Sequence, residues 1–211
     1  MPPIIAEDSL RSPRIWLPPA VLVALSTALE LGGDAVRTGL RYDRLAVDQG
    51  QWWRLLSGNL VHLGWWHLFL NGLSLVLLVM LCPERLSPFE WLRRIVLLGL
   101  GMTLGIYFFS PTLETYVGLS GLIYGLFVLG LGRQAAARDG IAIFGLAFLA
   151  CRIIWELTVG APESEQKLIG GAVVAESHLY GVIAALLYGV VFGVFKRQFA
   201  MTTCKDGARD E

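Results

Sequence analysis

The chain has 211 residues, of which 55% are apolar and only 16% are charged, and its formal net charge is zero. Soluble domains carry about 25% charged residues, and a soluble domain of this size exposes too much surface for so few polar groups. This composition excludes a soluble enzyme and a disordered protein. The 17 Lys and Arg residues are scattered, which argues against a nucleic-acid partner. Three dispersed cysteines make neither a disulfide framework nor a zinc site.

Long apolar runs predict an all-α membrane protein with six transmembrane helices. The predicted helices are residues 15–32, 56–81, 93–110, 118–133, 139–158 and 173–195. The first run lacks a convincing cleavage site for a signal peptide, so we interpret it as a retained span. Segment 33–54 mixes charged side chains with Leu and Trp, a composition suited to the membrane interface.

The distribution of basic residues predicts the orientation. Lys and Arg gather in cytoplasmic loops, and most of them fall on one side of the bundle when the N-terminus is inside. An even number of spans returns the C-terminus to that side. We therefore predict a cytoplasmic tail at 1–14, one helical domain at 15–195 and a second cytoplasmic tail at 196–211.

Polar side chains near the outer end of the second predicted helix need a reason, because they are costly inside a membrane. His67 and Asn71 are four residues apart and share one helix face, so both can donate to a single point. His62 points elsewhere if the helix is regular. Hydrogen bonding between helices explains the same residues, and their spacing leaves both interpretations open.

Gly118-Leu119-Ser120-Gly121 opens the fourth predicted helix. A Ser at a helix N-terminus lies beside unpaired backbone N–H groups, which can stabilise an oxyanion. Gly121 and Gly125 also form a pair of small residues one turn apart. Taken alone, the motif is more typical of close helix packing than of catalysis.

His178 stands near the outer end of the sixth predicted helix. Small residues follow it at steps of four and make a smooth ridge for a neighbouring helix: Gly181, Ala185, Gly189 and Gly193. If that neighbour is the fourth helix, His178 can reach Ser120. Such a pair supplies a nucleophile and a general base, and His67, Asn71 and the Ser120 backbone N–H supply oxyanion donors.

An acidic third member for this pair is not evident in the sequence. Glu176 is two residues from His178, so it points to a different side of the helix. Arg152 and Glu156 are four residues apart on the fifth predicted helix. We expect them to form a structural ion pair, with each other or with a neighbour, or Glu156 to reach the outer interface.

Together these residues resemble the rhomboid intramembrane serine proteases. The matching motifs are W-R at 53–54, H-x4-H-x3-N at 62–71, E-R at 84–85, G-x-S-G at 118–121 with Tyr124, and H-x-x-G at 178–181. The resemblance implies a six-helix rhomboid-like bundle with an interfacial first loop and a cavity open to the periplasm. It also implies a bacterial inner-membrane protein with both termini cytoplasmic.

The same resemblance implies a role for each matching residue. Ser120 would be the nucleophile, His178 its base in a dyad, and Tyr124 an aromatic ring stacked on that base. His67 and Asn71 would line the oxyanion hole, with His62 in support. The supporting glycines would be Gly118, Gly121 and Gly181. Neither a metal nor an organic cofactor is expected.

A narrower resemblance is to the rhombosortases, the rhomboid branch that processes proteins with a GlyGly-CTERM tail. It depends on five motifs: Tyr42-Asp43-Arg44, Gln51-Trp52-Trp53-Arg54, Trp155-Glu156 with Gly160, Leu168-Ile169-Gly170 and His178-Leu179-Tyr180-Gly181. It implies transmembrane substrates in the lipid bilayer that end in a GlyGly motif, an apolar helix and a basic cluster. Tyr180 stands where other rhomboids have a small residue, so we expect an altered substrate geometry.

Three alternatives stay open. A general rhomboid protease would cleave ordinary single-span proteins. A non-catalytic rhomboid-like binder would hold membrane helices, and it would be expected to lack the Ser or the His. A small transporter would need a polar path to the cytoplasm, whereas the inner halves of the second, fourth and sixth predicted helices are almost wholly apolar.

Overall fold

A computed structural model describes Leu10 and residues 12–194 of the chain. Its helices are α1 (Pro13–Glu30), α2 (Gly33–Leu40), α3 (Arg44–Asp48), α4 (Arg54–Ser57), α5 (Trp65–Leu81), α6 (Pro88–Phe109), α7 (Ser120–Ala136), α8 (Gly140–Thr158), α9 (Glu163–Ile169) and α10 (Ala175–Val191). Its strands are β1 (Tyr42–Asp43) and β2 (Thr115–Tyr116). The expected tail at 196–211 and nearly all of the tail at 1–14 lie outside the described residues.

The structure is mostly helical, and two helices are long and apolar enough to cross a membrane, namely α6 and α8. The count becomes three if α1 and α2, which are bent by 116° at their junction, form one span. The count of six spans expected from the sequence is therefore not confirmed by the described residues. Two further helices, α5 and α10, are apolar but have only 17 residues each, or about 26 Å against a hydrocarbon core of about 30 Å.

The second predicted helix, residues 56–81, was wrong at its start. The chain forms the short helix α4, leaves helical geometry over residues 58–64, and enters α5 only at Trp65. Gly58 packs so closely on the first loop, the segment at residues 33–54, that a Cβ there would lie 2.6 Å from the Tyr42 backbone N. The His62 carbonyl accepts a hydrogen bond from Arg37 (2.5 Å) rather than from a helix neighbour. Contacts across the fold thus replace local helical bonds in this segment.

The first loop is a folded unit that is fixed to the ends of the helices. Tyr42 pairs with Tyr116 and Asp43 with Thr115 in an antiparallel ladder, a feature that the all-α prediction omitted. The Arg44 guanidinium donates hydrogen bonds to four backbone carbonyls at and beyond the end of α6, those of Ile106, Tyr107, Ser110 and Leu113. One charged side chain therefore caps α6 and holds the loop against it.

Helix α7 lies at the centre of the bundle, and ten of its 17 residues are buried. Its closest neighbour is α10, and the two backbones meet at glycines, as the small-residue ridge predicted. A Cβ on Gly125 would lie 2.8 Å from the Gly181 carbonyl oxygen, and a Cβ on Gly181 would overlap the Gly121 carbonyl oxygen. Because glycine has no side chain to keep the two backbones apart, the helices approach closely. Short side chains at neighbouring positions on the two helices can therefore contact each other.

The glycine contact predicts that Gly181→Ala destabilises the fold. The added methyl group has to push α7 and α10 apart, and overpacking of this kind costs about 1–3 kcal/mol. Gly39→Ala in α2 is the matched control, because a Cβ there meets nothing within 4 Å. Reversible unfolding by SDS in mixed micelles measures both variants. Equal stability of the two would contradict a backbone contact at Gly181.

Candidate active site

Ser120 is the first residue of α7, and the chain that leads to it is held from two sides. Strand β2 ends at Tyr116, whose hydroxyl donates to the Gly118 carbonyl (2.7 Å). The Gly118 N–H donates to the Gly58 carbonyl (3.0 Å). Gly118 has φ +119°, a conformation that side chains disfavour. This turn places a half-buried Ser120 beside the unpaired N–H groups that begin a helix.

His178 lies on α10 and contacts Ser120. Its Nε2 lies 2.9 Å from the Ser120 hydroxyl oxygen, within hydrogen-bond distance. The Tyr124 ring, one turn after Ser120, stacks on the imidazole with centroids 4.2 Å apart and planes 6° from parallel. His178 is buried, with 5% of its surface exposed. Stacking and burial together fix the plane of the ring, so Nε2 stays directed at the hydroxyl.

His67 and Asn71 lie one turn apart on α5 and face the same cavity as Ser120. The His67 Nδ1 accepts a hydrogen bond from the Leu63 N–H (3.4 Å), which leaves Nε2 as the donor. Among the described residues, the buried Asn71 amide nitrogen has no hydrogen-bond partner. Two donors are therefore available beside the serine, as their spacing suggested.

His62 does not point away from His67, as a regular helix would require. It precedes α5, is fully buried, and packs its ring edge-on to His67 with centroids 5.0 Å apart. Gly118 is a second close neighbour of the His67 ring, since a Cβ at Gly118 would lie 2.7 Å from the His67 Cε1. The two neighbours leave His67 little freedom to turn.

Glu156 is the site residue whose contact the sequence analysis missed. The expected ion pair with Arg152 is present (2.7 Å), but the second carboxylate oxygen of Glu156 lies 2.6 Å from His178 Nδ1. Arg152 also pairs with Glu165 of α9 (2.5 Å). An acid therefore does adjoin the histidine, contributed by α8 and not by α10. The signal in the sequence was position along the helix, because Glu156, Ser120 and His178 all stand near the helix ends that the sequence places on one side of the membrane.

These side chains line a cavity of about 180 Å³. It brings together Ser120, His178, His67, Asn71, Tyr124 and Arg152. Tyr180 is not among its lining residues, although the sequence predicted that its bulk would alter substrate geometry. Instead, the Tyr180 ring packs on Gly105 of α6, and its hydroxyl bonds with that of Ser110 (3.0 Å).

Comparison with known protein families matches the part of the chain that forms this site. The Rhomboid domain family matches residues 49–195, which is more than half of the chain and includes every side chain of this cluster. The chain belongs to the rhomboid family. Rhomboids act on transmembrane substrates in the lipid bilayer, and their proteases are serine proteases. With its apolar helices, this rhomboid is an integral membrane protein.

A curated relative agrees with the family assignment. The rhomboid is 36% identical over 83 residues to a Bacillus subtilis (strain 168) protein named "Putative rhomboid protease YdcA". The alignment covers 39% of this chain and 42% of that protein. The match supports the family assignment and covers less than half of the relative's length.

The turn before Ser120 predicts that Gly118→Ala disturbs the cluster. Alanine at this position is strained because its φ is positive, and its methyl group also overlaps the His67 ring. Gly160→Ala is the matched control, since Gly160 has φ +91° and a Cβ there meets nothing within 4 Å. We expect Gly118→Ala to lose about 1–3 kcal/mol more than Gly160→Ala in SDS unfolding. Equal losses would mean that His67 is not held by Gly118.

Proposed function

We propose that this rhomboid is an intramembrane serine protease in which Ser120 is the nucleophile and His178 its general base. The observation that carries the proposal is the 2.9 Å hydrogen bond between the Ser120 hydroxyl and His178 Nε2 in a cavity that both residues line. A hydroxyl becomes a competent nucleophile when an adjacent imidazole accepts its proton. The domain at 15–195 holds every residue that this chemistry needs.

The cluster supplies each element of acyl transfer. His178 takes the Ser120 proton as the serine oxygen attacks the substrate carbonyl, and it returns that proton to the leaving amine. The oxyanion is held by the Ser120 backbone N–H with the Asn71 amide and the His67 Nε2–H. Water from the cavity then hydrolyses the acyl-enzyme. Tyr124 keeps the imidazole plane in place through both steps.

The protein's position in the membrane is part of the proposal. Basic residues predict both termini in the cytoplasm, so that six helices cross the bacterial inner membrane and the cavity opens to the periplasm. On this topology the first loop lies at the outer interface. The exposed Trp52 (70%) and Trp53 (56%) support that placement, because Trp is enriched at membrane–water interfaces.

A serine-directed probe tests the chemistry. We expect a fluorophosphonate to label the wild-type protein in micelles, Ser120→Ala not to be labelled, and His178→Ala to react at least about 10²-fold more slowly. Ser164→Ala is the matched control, since Ser164 is exposed on α9. Labelling that survives in Ser120→Ala would contradict the proposal and favour a non-catalytic helix binder.

The substrate class that we propose is a transmembrane protein with a GlyGly-containing C-terminal anchor, as the rhombosortase branch would process. A helical substrate hides its peptide carbonyls in hydrogen bonds, so a segment has to unwind before Ser120 can reach one. Glycine lowers the cost of leaving the helix by about 1 kcal/mol per residue relative to a good helix former. A Gly pair is therefore a favourable cleavage region for a substrate that has to unwind to reach Ser120.

The substrate proposal is tested by one reporter in three versions. Its transmembrane anchor carries Gly-Gly, Ala-Ala or Leu-Leu at the periplasmic end and is otherwise unchanged. We expect the Gly-Gly version to be cleaved about 10- to 30-fold faster, the ratio that about 2 kcal/mol of unwinding cost produces. Ser120→Ala provides the background. Equal cleavage of the three would favour a general rhomboid protease instead.

A further inference from the structure

Helix α8 contributes a carboxylate to a histidine that lies on another helix. Only three of the 19 residues of α8 are buried, namely Ala142, Ile153 and Glu156. Its Oε2 lies 2.6 Å from His178 Nδ1, and 4% of the residue is exposed. A helix that is otherwise mostly exposed therefore buries its one acidic residue against His178.

We propose that Glu156 is a positioning residue that converts the pair of Ser120 and His178 into a triad whose third member is a glutamate. The inference rests on the proposed protease function and extends it. The Nδ1–H of His178 donates to Glu156, which selects the tautomer with a free Nε2 lone pair. That lone pair is the one that faces the Ser120 hydroxyl. Without the carboxylate, the ring could place its proton on Nε2 and lose its use as a base.

Arg152 makes a charged Glu156 tolerable in this buried position. An isolated carboxylate is costly to bury, and pairing with a cation offsets that cost. Arg152 lies one turn earlier on α8 and contacts the Oε1 of Glu156 at 2.7 Å, while Glu165 contacts Arg152 from α9. The two oxygens of Glu156 thus have separate partners, one for charge compensation and one for the histidine.

The carboxylate acts through His178 and takes no proton itself. As Ser120 attacks, its proton moves to His178 Nε2, the Oγ–carbon bond forms, and the carbonyl electron pair moves to the oxyanion. The imidazolium then lies between Glu156 and the oxyanion. When the intermediate collapses, the carbon–nitrogen bond breaks and the Nε2 proton leaves with the amine. Glu156 stabilises the transient positive charge throughout.

Glu156→Gln tests the proposal, because it keeps the volume and removes the charge. We expect kcat for the Gly-Gly reporter to fall by about 10²–10⁴-fold, with KM within about twofold of the wild type. Glu163→Gln is the matched control, since Glu163 is exposed on α9 and pairs only with Lys167 among the described residues. That control should keep both constants.

Each outcome decides one question. A wild-type protein that neither takes the fluorophosphonate label nor cleaves any reporter would end the protease proposal itself. A labelled, active wild type with Glu156→Gln within about threefold of its kcat would overturn the triad and leave the protease standing. A variant that loses kcat only in proportion to its folded fraction would also overturn the triad, because Glu156 would then be a structural ion-pair partner.

A measurement on the wild type decides the matter even if the variant does not fold. The chain has three histidines, so nitrogen-15 labelling of histidine gives few signals, and His178→Ala identifies the one of interest. Long-range proton–nitrogen spectra report the tautomer of each neutral ring. A proton on Nδ1 of His178 supports the proposal, whereas a proton on Nε2 overturns it.

Discussion

The close backbone contact between α7 and α10 is the constraint on which the site depends. Serine has a short side chain, so its hydroxyl reaches an imidazole on another helix only when the two backbones nearly touch. Gly121, Gly125 and Gly181 allow that approach, because any side chain at these positions would meet the opposite backbone. The same contact serves folding and chemistry, since dispersion between closely packed backbones holds membrane helices together.

Elsewhere in the fold, charged side chains each bind several polar partners. Arg44 satisfies four carbonyls at and beyond the end of α6, and Arg54 donates to the Thr38 and Arg41 carbonyls of the first loop. Glu84 binds Arg94 and Arg133 near the opposite ends of the helices. The Asn71 amide nitrogen is one of several buried polar atoms without a hydrogen-bond partner in the described residues, and Asn71 lines the cavity. An unpaired donor that faces a cavity is suited to charge that develops only during a reaction.

The sequence predicted the parts of this molecule that depend on local pattern. Apolar runs predicted most helices, and small residues at steps of four predicted the α7–α10 contact. The order of the motifs along the chain indicated the family. The predictions from sequence failed where contacts between distant residues override local preference. Residues 58–64 leave the helix because the first loop holds them, and Tyr180 turns toward Gly105, which no spacing rule reveals. Glu156 was expected to pair with Arg152 or a neighbour, or to reach the outer interface. The residue four positions away is visible in the sequence, whereas a histidine on another helix is not.

The ladder between Tyr42 and Tyr116 has a consequence for where a substrate is cut. It joins the first loop to the strand that enters α7, so the loop and Ser120 move as one unit. With the loop among the lipid headgroups, as proposed, the reactive oxygen keeps a fixed depth below the water boundary even when helices tilt to match a thicker or thinner bilayer. The enzyme would then choose a peptide bond by its distance from the membrane surface, and lengthening the anchor at its cytoplasmic end would leave the chosen bond unchanged.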